Sequence, residues 1–245
     1  MELELSGRTA LVTGATSGLG RAVAVGLAAE GVRIVGVGRR TELLESLAEE
    51  LPATGVDHVM VRQDLAEPDA PAALAEAVAG LEVDILVNNA GGSAPVDFGT
   101  PDEEWRRRMT LNFEAARALT HRLLPGMRAR GWGRVVNVTG VNEPRGLNAT
   151  LPAKAALESW AKGLSREVAR EGVTVNCVAP GRIHSGQVAR DFTPEAVAAF
   201  SAAEIPAGRF GEAEEFADVV VFLASERARY VTGARLQVDG GFARA

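Results

Sequence analysis

The 245-residue chain has one cysteine, Cys177, and one tyrosine, Tyr230. A single thiol excludes an intrachain disulfide and a multi-cysteine metal site, and no metal is expected. There is no run of 18 apolar residues, so no segment reads as a membrane span. The opening stretch, Met1 to Arg8, is polar and charged and holds no apolar signal core. The expected location is therefore cytoplasmic, with no membrane partner. Positive charge is in the minority: 26 basic against 32 acidic residues leave −6, and the longest basic run is Arg106-Arg107-Arg108. Such a surface suits nucleic acid poorly. What is present, 47% hydrophobic and 24% charged residues, excludes a disordered or collagenous chain. A chain of this length can bury a full core.

Short apolar runs alternate with longer amphipathic ones. Thr9–Val12, Val32–Val37, Val56–Val61, Val83–Val87, Arg134–Val138, Val173–Val178 and Ala234–Val238 read as strands. Arg21–Glu30, Glu42–Leu51, Ala70–Leu81, Pro152–Glu171 and Glu212–Ala224 carry helical spacing. Thr100-Pro101-Asp102-Glu103 predicts a capped helix start, with Thr100 as cap, Pro101 first in the helix and Glu103 closing a capping box. That helix is expected to reach Ala129, bending at Pro125. Strands alternating with helices of this length imply parallel βαβ units. The strands lack a polar face, as in a sheet covered on both sides. No linker or repeat divides the chain. The expected fold class is α/β: a Rossmann-like doubly wound parallel sheet, one domain over residues 1–245.

The turn after the first strand is Thr13-Gly14-Ala15-Thr16-Ser17-Gly18-Leu19-Gly20. Glycines there let the backbone approach a pyrophosphate, and a helix N-terminus follows to receive it. A glycine-rich turn without a ligand is the plain alternative. The second strand ends Gly36-Val37-Gly38-Arg39-Arg40. An acidic residue there would bind the ribose hydroxyl of NAD, whereas Arg pairs with a 2′-phosphate. The expected cofactor is NADP(H) rather than NAD(H), with solvated arginines as the alternative.

With these features the chain resembles the short-chain dehydrogenase/reductase family almost end to end. The resemblance rests on the Thr13–Gly20 turn, Gln63-Asp64-Leu65, Asn88-Asn89-Ala90-Gly91, Asn112, Pro180-Gly181 and Val238-Asp239-Gly240-Gly241. It implies that Asp64 and Leu65 lie at the adenine and that Asn89, Ala90 and Gly91 line the adenosine side. It also implies that Pro180, Gly181 and Ile183 border the nicotinamide, and that Ser185 holds its carboxamide. Asn88 and Asn89 also suit a simpler task, tying down backbone at a strand end. Residues 182–211 would form a substrate lid. Phe192 and Phe200 there suit an apolar substrate or core packing. A homodimer or homotetramer is implied, with Met109, Phe113, Leu119 and Trp160 serving an interface or the core.

The family reduces ketones with a Ser or Thr hydroxyl, a Tyr phenol and a Lys four residues after the Tyr, supported by an Asn. Lys154 and Asn112 stand in place. Lys154 is expected at the cofactor ribose. Thr150 occupies the Tyr position and Gly140 the Ser position, and the intervening segment is short. This resembles a divergent group with a Ser or Thr for the Tyr. Candidates for moving the proton are Lys154 with a pKa lowered by burial, Thr150 as an orienting hydroxyl, and His184 in the loop after Pro180. Glu143 is a weaker candidate, in a loop that also carries Asn142, Arg145 and Asn148. His58 and His121 read as structural or solvated. The main expectation is an NADP(H)-dependent oxidoreductase acting on a small carbonyl or alcohol with an altered proton donor. A nucleotide-binding protein without redox turnover, acting as sensor or partner subunit, is the rival. A non-redox reaction in the same pocket is a third reading.

Overall fold

In a computed structural model, which describes residues 2–52, 55–93, 95–140, 146–185, 188 and 192–244, the apolar runs become parallel strands. They are β1 (Thr9–Thr13), β2 (Arg33–Gly38), β3 (Val59–Arg62), β4 (Ile85–Asn88), β5 (Gly133–Val138), β6 (Val173–Pro180) and β7 (Arg235–Val238). Among the described residues they form one seven-stranded sheet in the order β3-β2-β1-β4-β5-β6-β7. The helices are α1 (Gly18–Ala29), α2 (Thr41–Glu50), α3 (Ala70–Ala77), α4 (Asp102–Met109), α5 (Ala115–Ala129), α6 (Thr150–Val168), α7 (Pro194–Glu204) and α8 (Ala213–Ala224).

Two-residue alternation in the strands sorts side chains into two cores. Ala10, Val12, Ile34, Ile85, Val87, Val136, Val138 and Val178 pack with α1 and α8. Leu11, Val35, Val37, Leu86, Val135, Val175 and Cys177 face α3, α5 and α6. Leu119 belongs to this second core and is fully buried, so it is unavailable to an interface. Burial on both faces is why the strands show no polar side. Among the described residues, no helix is long and apolar enough to cross a membrane.

Two local expectations change. The helix after Pro101 starts at Asp102, and the Thr100 hydroxyl caps nothing. It closes a turn on Asp97 instead, accepting from the Asp97 N–H at 3.1 Å. The long helix passes through Pro125 and is interrupted earlier, by a π-helical turn at Thr110–Glu114. The carbonyl four residues before Pro125 belongs to exposed His121, where water can serve it. The π turn has its own cause: the Asn112 amide donates back to the Arg108 carbonyl at 3.0 Å and accepts from the Gly92 N–H at 3.2 Å.

From β1 the chain first runs outward through β2 and β3, then returns to place β4 on the other flank of β1. The crevice beyond the carboxyl ends of β1 and β4 is thus the topological switch point, where open α/β sheets bind ligands.

Candidate active site

The Gly-rich turn sits in that crevice. Gly14 and Gly18 take φ of +66° and +53°, where a side chain is strained. A Cβ at Gly20 would clash with the Gly14 carbonyl oxygen and the Asn89 amide. Ser17 precedes α1 in extended conformation and makes no side-chain cap bond. Among the described residues no side chain caps the first N–H groups of α1, which suits them to an anion. Thr16 is buried and Leu19 packs on the first core. This cradle fits a dinucleotide pyrophosphate.

The Thr13 hydroxyl laces the two halves together. It donates to the Val87 carbonyl at 3.2 Å and accepts from the N–H groups of Asn89 at 2.9 Å and Ala90 at 3.0 Å. The Asn89 amide donates to the carbonyls of Thr13 at 2.9 Å and Gly14 at 3.2 Å. Buried Asn88 donates to the Thr120 hydroxyl at 3.1 Å and the Asn137 side-chain oxygen at 2.9 Å. Asn89 ties down backbone at the strand end, whereas the partners of Asn88 are side chains.

At the other end of the crevice, Arg39 and Arg40 are exposed. Arg39 pairs with Asp64 at 3.7 Å, and the other Asp64 oxygen accepts from the Ala66 N–H at 3.0 Å. Leu65 is buried beneath. Sequence reasoning missed Arg62. The β2–β3 register sets it beside Gly38, and its Nε donates to the Arg39 carbonyl at 3.2 Å. Arg62 thus joins Arg39 and Arg40 at the carboxyl ends of β2 and β3.

Lys154, Asn112 and Thr150 come together on the β4–β5 side. A Cβ at Gly91 would lie 2.5 Å from Asn112 Oδ1 and 3.1 Å from Lys154 Nζ. Lys154 is buried, and its Nζ donates to the Val138 carbonyl at 2.7 Å. Burial lowers its pKa to about 8, against smaller opposing effects of Cys177 and Glu158. Thr150 is also buried, and its hydroxyl donates to the Gly92 carbonyl at 2.7 Å. Asn148 caps α6 by accepting from the N–H groups of Thr150 at 2.8 Å and Leu151 at 3.2 Å. A Cβ at Gly140 would meet none of the described residues within 4 Å. Tyr230 is 99% exposed and precedes β7, at the opposite end of the sheet. Asn142, Glu143 and Arg145 lie outside the described residues.

After β6, which ends at Pro180, the Gly181 N–H donates to the Val238 carbonyl at 2.9 Å. Ile183 is buried, and Ser185 accepts from the Val188 N–H at 3.3 Å. A Cβ on Gly18 would stand 3.7 Å from Ser185 Cβ, which brings this loop to the phosphate turn. The partners of His184 lie on the α8 side: its ring is 5.4 Å from that of Phe210, and Nε2 is 4.0 Å from a Glu212 oxygen. Phe200 packs on Phe210, Phe242 and Arg182, partly buried and outside both cores. His58 accepts from the Ile34 N–H at 3.1 Å, a structural role. No cluster of three or more His, Cys, Asp or Glu among the described residues is placed to hold a metal.

A family model described as Enoyl-(Acyl carrier protein) reductase matches residues 14–243. The 3-oxoacyl-[acyl-carrier-protein] reductase FabG of Pseudomonas aeruginosa is 38% identical over 246 residues, covering 98% of each chain. L-sorbose reductase from Gluconobacter frateurii, solved with NADPH and L-sorbose, superposes with a TM-score of 0.94 at 34% identity over 100% of both chains. A 7α-hydroxysteroid dehydrogenase solved with NADH and 7-oxo glycochenodeoxycholic acid gives 0.92 at 29% identity, covering 100% of this chain and 97% of that one.

Proposed function

The chain belongs to the short-chain dehydrogenase/reductase family, and on that premise we propose that it is an NADP(H)-dependent oxidoreductase of a small carbonyl or alcohol, with Lys154 moving the proton. The observation that carries this reading is the buried Lys154 ammonium, with a pKa of about 8, meeting Asn112 and Gly91.

Gly14, Gly18, Gly20 and the start of α1 hold the pyrophosphate, with Thr16, Ser17 and Leu19 shaping the turn. Arg39, Arg40 and Arg62 take the 2′-phosphate, and Asp64 and Leu65 border the adenine. Asn89, Ala90 and Gly91 close the adenosine side, and Pro180, Gly181, Ile183 and Ser185 border the nicotinamide. Both NADPH and NADH occur with this fold in the solved structures, so the fold does not choose between them. The three guanidiniums favour the phosphorylated cofactor.

The bound nicotinamide supplies the hydride. The protein must supply the proton. An ammonium has three N–H donors, and the Val138 carbonyl takes one at Lys154. Two remain for a ribose hydroxyl and the substrate oxygen. The Thr150 hydroxyl is spent on the Gly92 carbonyl, so it positions the Gly91-Gly92 loop beside Asn112. An amine with a pKa near the working pH is a better acid than an aliphatic alcohol. His184 has its partners on the α8 side. The sole phenol, Tyr230, is exposed far from the crevice.

The rim favours a substrate with an apolar arm. The Val96 N–H donates to the Leu147 carbonyl at 3.2 Å, and Pro95 bridges Asn148. These strapped segments expose Phe98 fully and Leu147 by 53%. Of the substrates in the relatives' names, an acyl chain suits this rim better than a sugar. The described residues of the 182–211 segment would supply the lid.

The test is reduction of a carbonyl panel with NADPH from pH 6 to 10. The expected kcat/KM falls as pH rises through about 8, and Lys154→Met lowers it by about 10²- to 10⁴-fold. A flat profile, or an active Lys154→Met, overturns the assignment. A second reading, nucleotide binding without turnover, has its own support. Gly140 offers no side chain, and the Thr150 hydroxyl is committed. Tight NADPH binding with no turnover across the panel selects that reading.

A further inference from the structure

Lys154 and Glu158 stand four residues apart on α6, on one helix face. Lys154 holds the Val138 carbonyl directly. Glu158 reaches the same strand end through a second residue. Arg235, the first residue of β7, donates from Nε to Glu158 Oε1 at 2.8 Å and from Nη2 to the Gly140 carbonyl at 3.0 Å. Carbonyls two residues apart on an extended chain point to one side. The Lys154–Glu158 face of α6 therefore clamps the Val138 and Gly140 carbonyls at the exit of β5, one by an ammonium and one by a borrowed guanidinium.

Gly140 has no side chain to anchor it, and no described residue lies within 4 Å of where a Cβ would project. Its backbone relies on hydrogen bonds, since glycine by itself is conformationally free. We propose that the Arg235–Glu158 pair is a positioning device for the reacting end, fixing the Gly140 carbonyl and setting the electrostatic surroundings of the Lys154 ammonium. Nothing in the cofactor cradle or the lid includes these two residues. The inference rests on the reading of Lys154 as the proton source, and its first measurement does not need turnover.

Among the described residues, the titratable groups facing Lys154 are Glu158 on α6 itself, Cys177 on β6 and, through Glu158, Arg235 on β7. The turn at Thr110–Glu114 contributes Asn112, which carries no charge. Cys177 is pushed up to about 12, chiefly by burial, and stays neutral in the working range. Glu158 favours the charged amine and Arg235 opposes it. The two substitutions must therefore move Lys154 in opposite senses.

The experiment is an NMR titration of Lys154 in the apo protein, comparing the parent with Glu158→Gln and Arg235→Met, followed by pH profiles of kcat/KM. Glu158→Gln should move the titration of Lys154 down by about half a pH unit or more, and Arg235→Met should move it up. Arg235→Met should lower kcat about tenfold or more, because the Gly140 carbonyl loses its donor. A cavity of about 170 Å³ lined by Glu158, Lys162, Cys177 and Arg235 adjoins the pair. In Arg235→Ala that space can admit guanidinium ion, so millimolar guanidinium should restore rate, and Arg235→Lys should restore part of it. Unmoved titrations, or shifts of the same sign, overturn the proposal whether or not the protein turns over. Opposite shifts in a parent that reduces nothing sustain the electrostatic link and remove the proposed activity instead. Opposite shifts with kcat unchanged overturn the positioning role.

Discussion

Replacing Lys154 by Met should change how stability depends on pH, and the structure sets sign and size. The folded chain holds this amine at about 8 against 10.5 for an ordinary lysine, mainly through burial. At about 1.4 kcal/mol for each pH unit between the two values, the charged form costs the native state about 3 kcal/mol near neutrality. From pH 8 to 10.5 the unfolded chain keeps a proton that the folded one releases, so stability rises with pH. Lys154→Met removes that dependence. It also strips the Val138 carbonyl of its 2.7 Å donor, a loss of about 1–3 kcal/mol that does not vary with pH. The variant should therefore match the parent at pH 7 or exceed it by up to about 2 kcal/mol. By pH 10.5 the parent should have gained about 3 kcal/mol relative to the variant. Urea unfolding of both apo proteins at pH 7, 8.5 and 10.5 reads this difference. The Cys177 thiol, at about 12, works against the fold above pH 9 in both proteins and largely cancels. A difference that stays constant over this range, or moves in the variant's favour, refutes the account of a desolvated ammonium.

Three further outcomes are expected. Gly20→Ala drives a methyl into the Gly14 carbonyl; it should weaken NADPH binding at least about tenfold by calorimetry, and an unchanged Kd would contradict the cradle. Arg39→Asp should weaken NADPH about ten- to hundredfold, the worth of a charge-assisted hydrogen bond, while NADH is held as well or better; equal losses for both would remove the phosphate role. Arg134 is 1% exposed at the start of β5, bonded to Glu226 at 2.9 Å and stacked on Trp132 at 4.2 Å. Arg134→Met should cost about 3 kcal/mol in urea unfolding with cofactor affinity intact, since this network lies at the far ends of the strands. A loss under about 1 kcal/mol would mean that solvent reaches the pair.

Much of the architecture was legible in the chain because its causes are local. Two-residue alternation already sets Leu11 on the face opposite Ala10 and Val12, and Gly14, Gly18 and Gly20 mark a turn that few other residues could make. Lys154 and the Arg39-Arg40 pair could be named from position alone. Helix starts were less secure: Thr100 had the composition of a cap, yet Asp97 three residues earlier captured its hydroxyl. Pro125 looked like the breaking point, while the break follows from Asn112 binding a loop twenty residues upstream.

What only the tertiary structure decided are the partners that arrive from distant segments. Parallel register brings Arg62 to Arg39 across 23 residues, and the sheet carries Arg235 to Gly140 across 95. The chain alone names Thr150 as a hydroxyl at the right place. Folding spends that hydroxyl on Gly92. It also names Lys154 as a cation, but the acidity of that cation comes from the apolar surroundings closed over it. Propensity and periodicity act over a turn or two of chain and can be read in order. Hydrogen-bond partners and local dielectric depend on which segments the sheet sets side by side, and so exist only once it has formed.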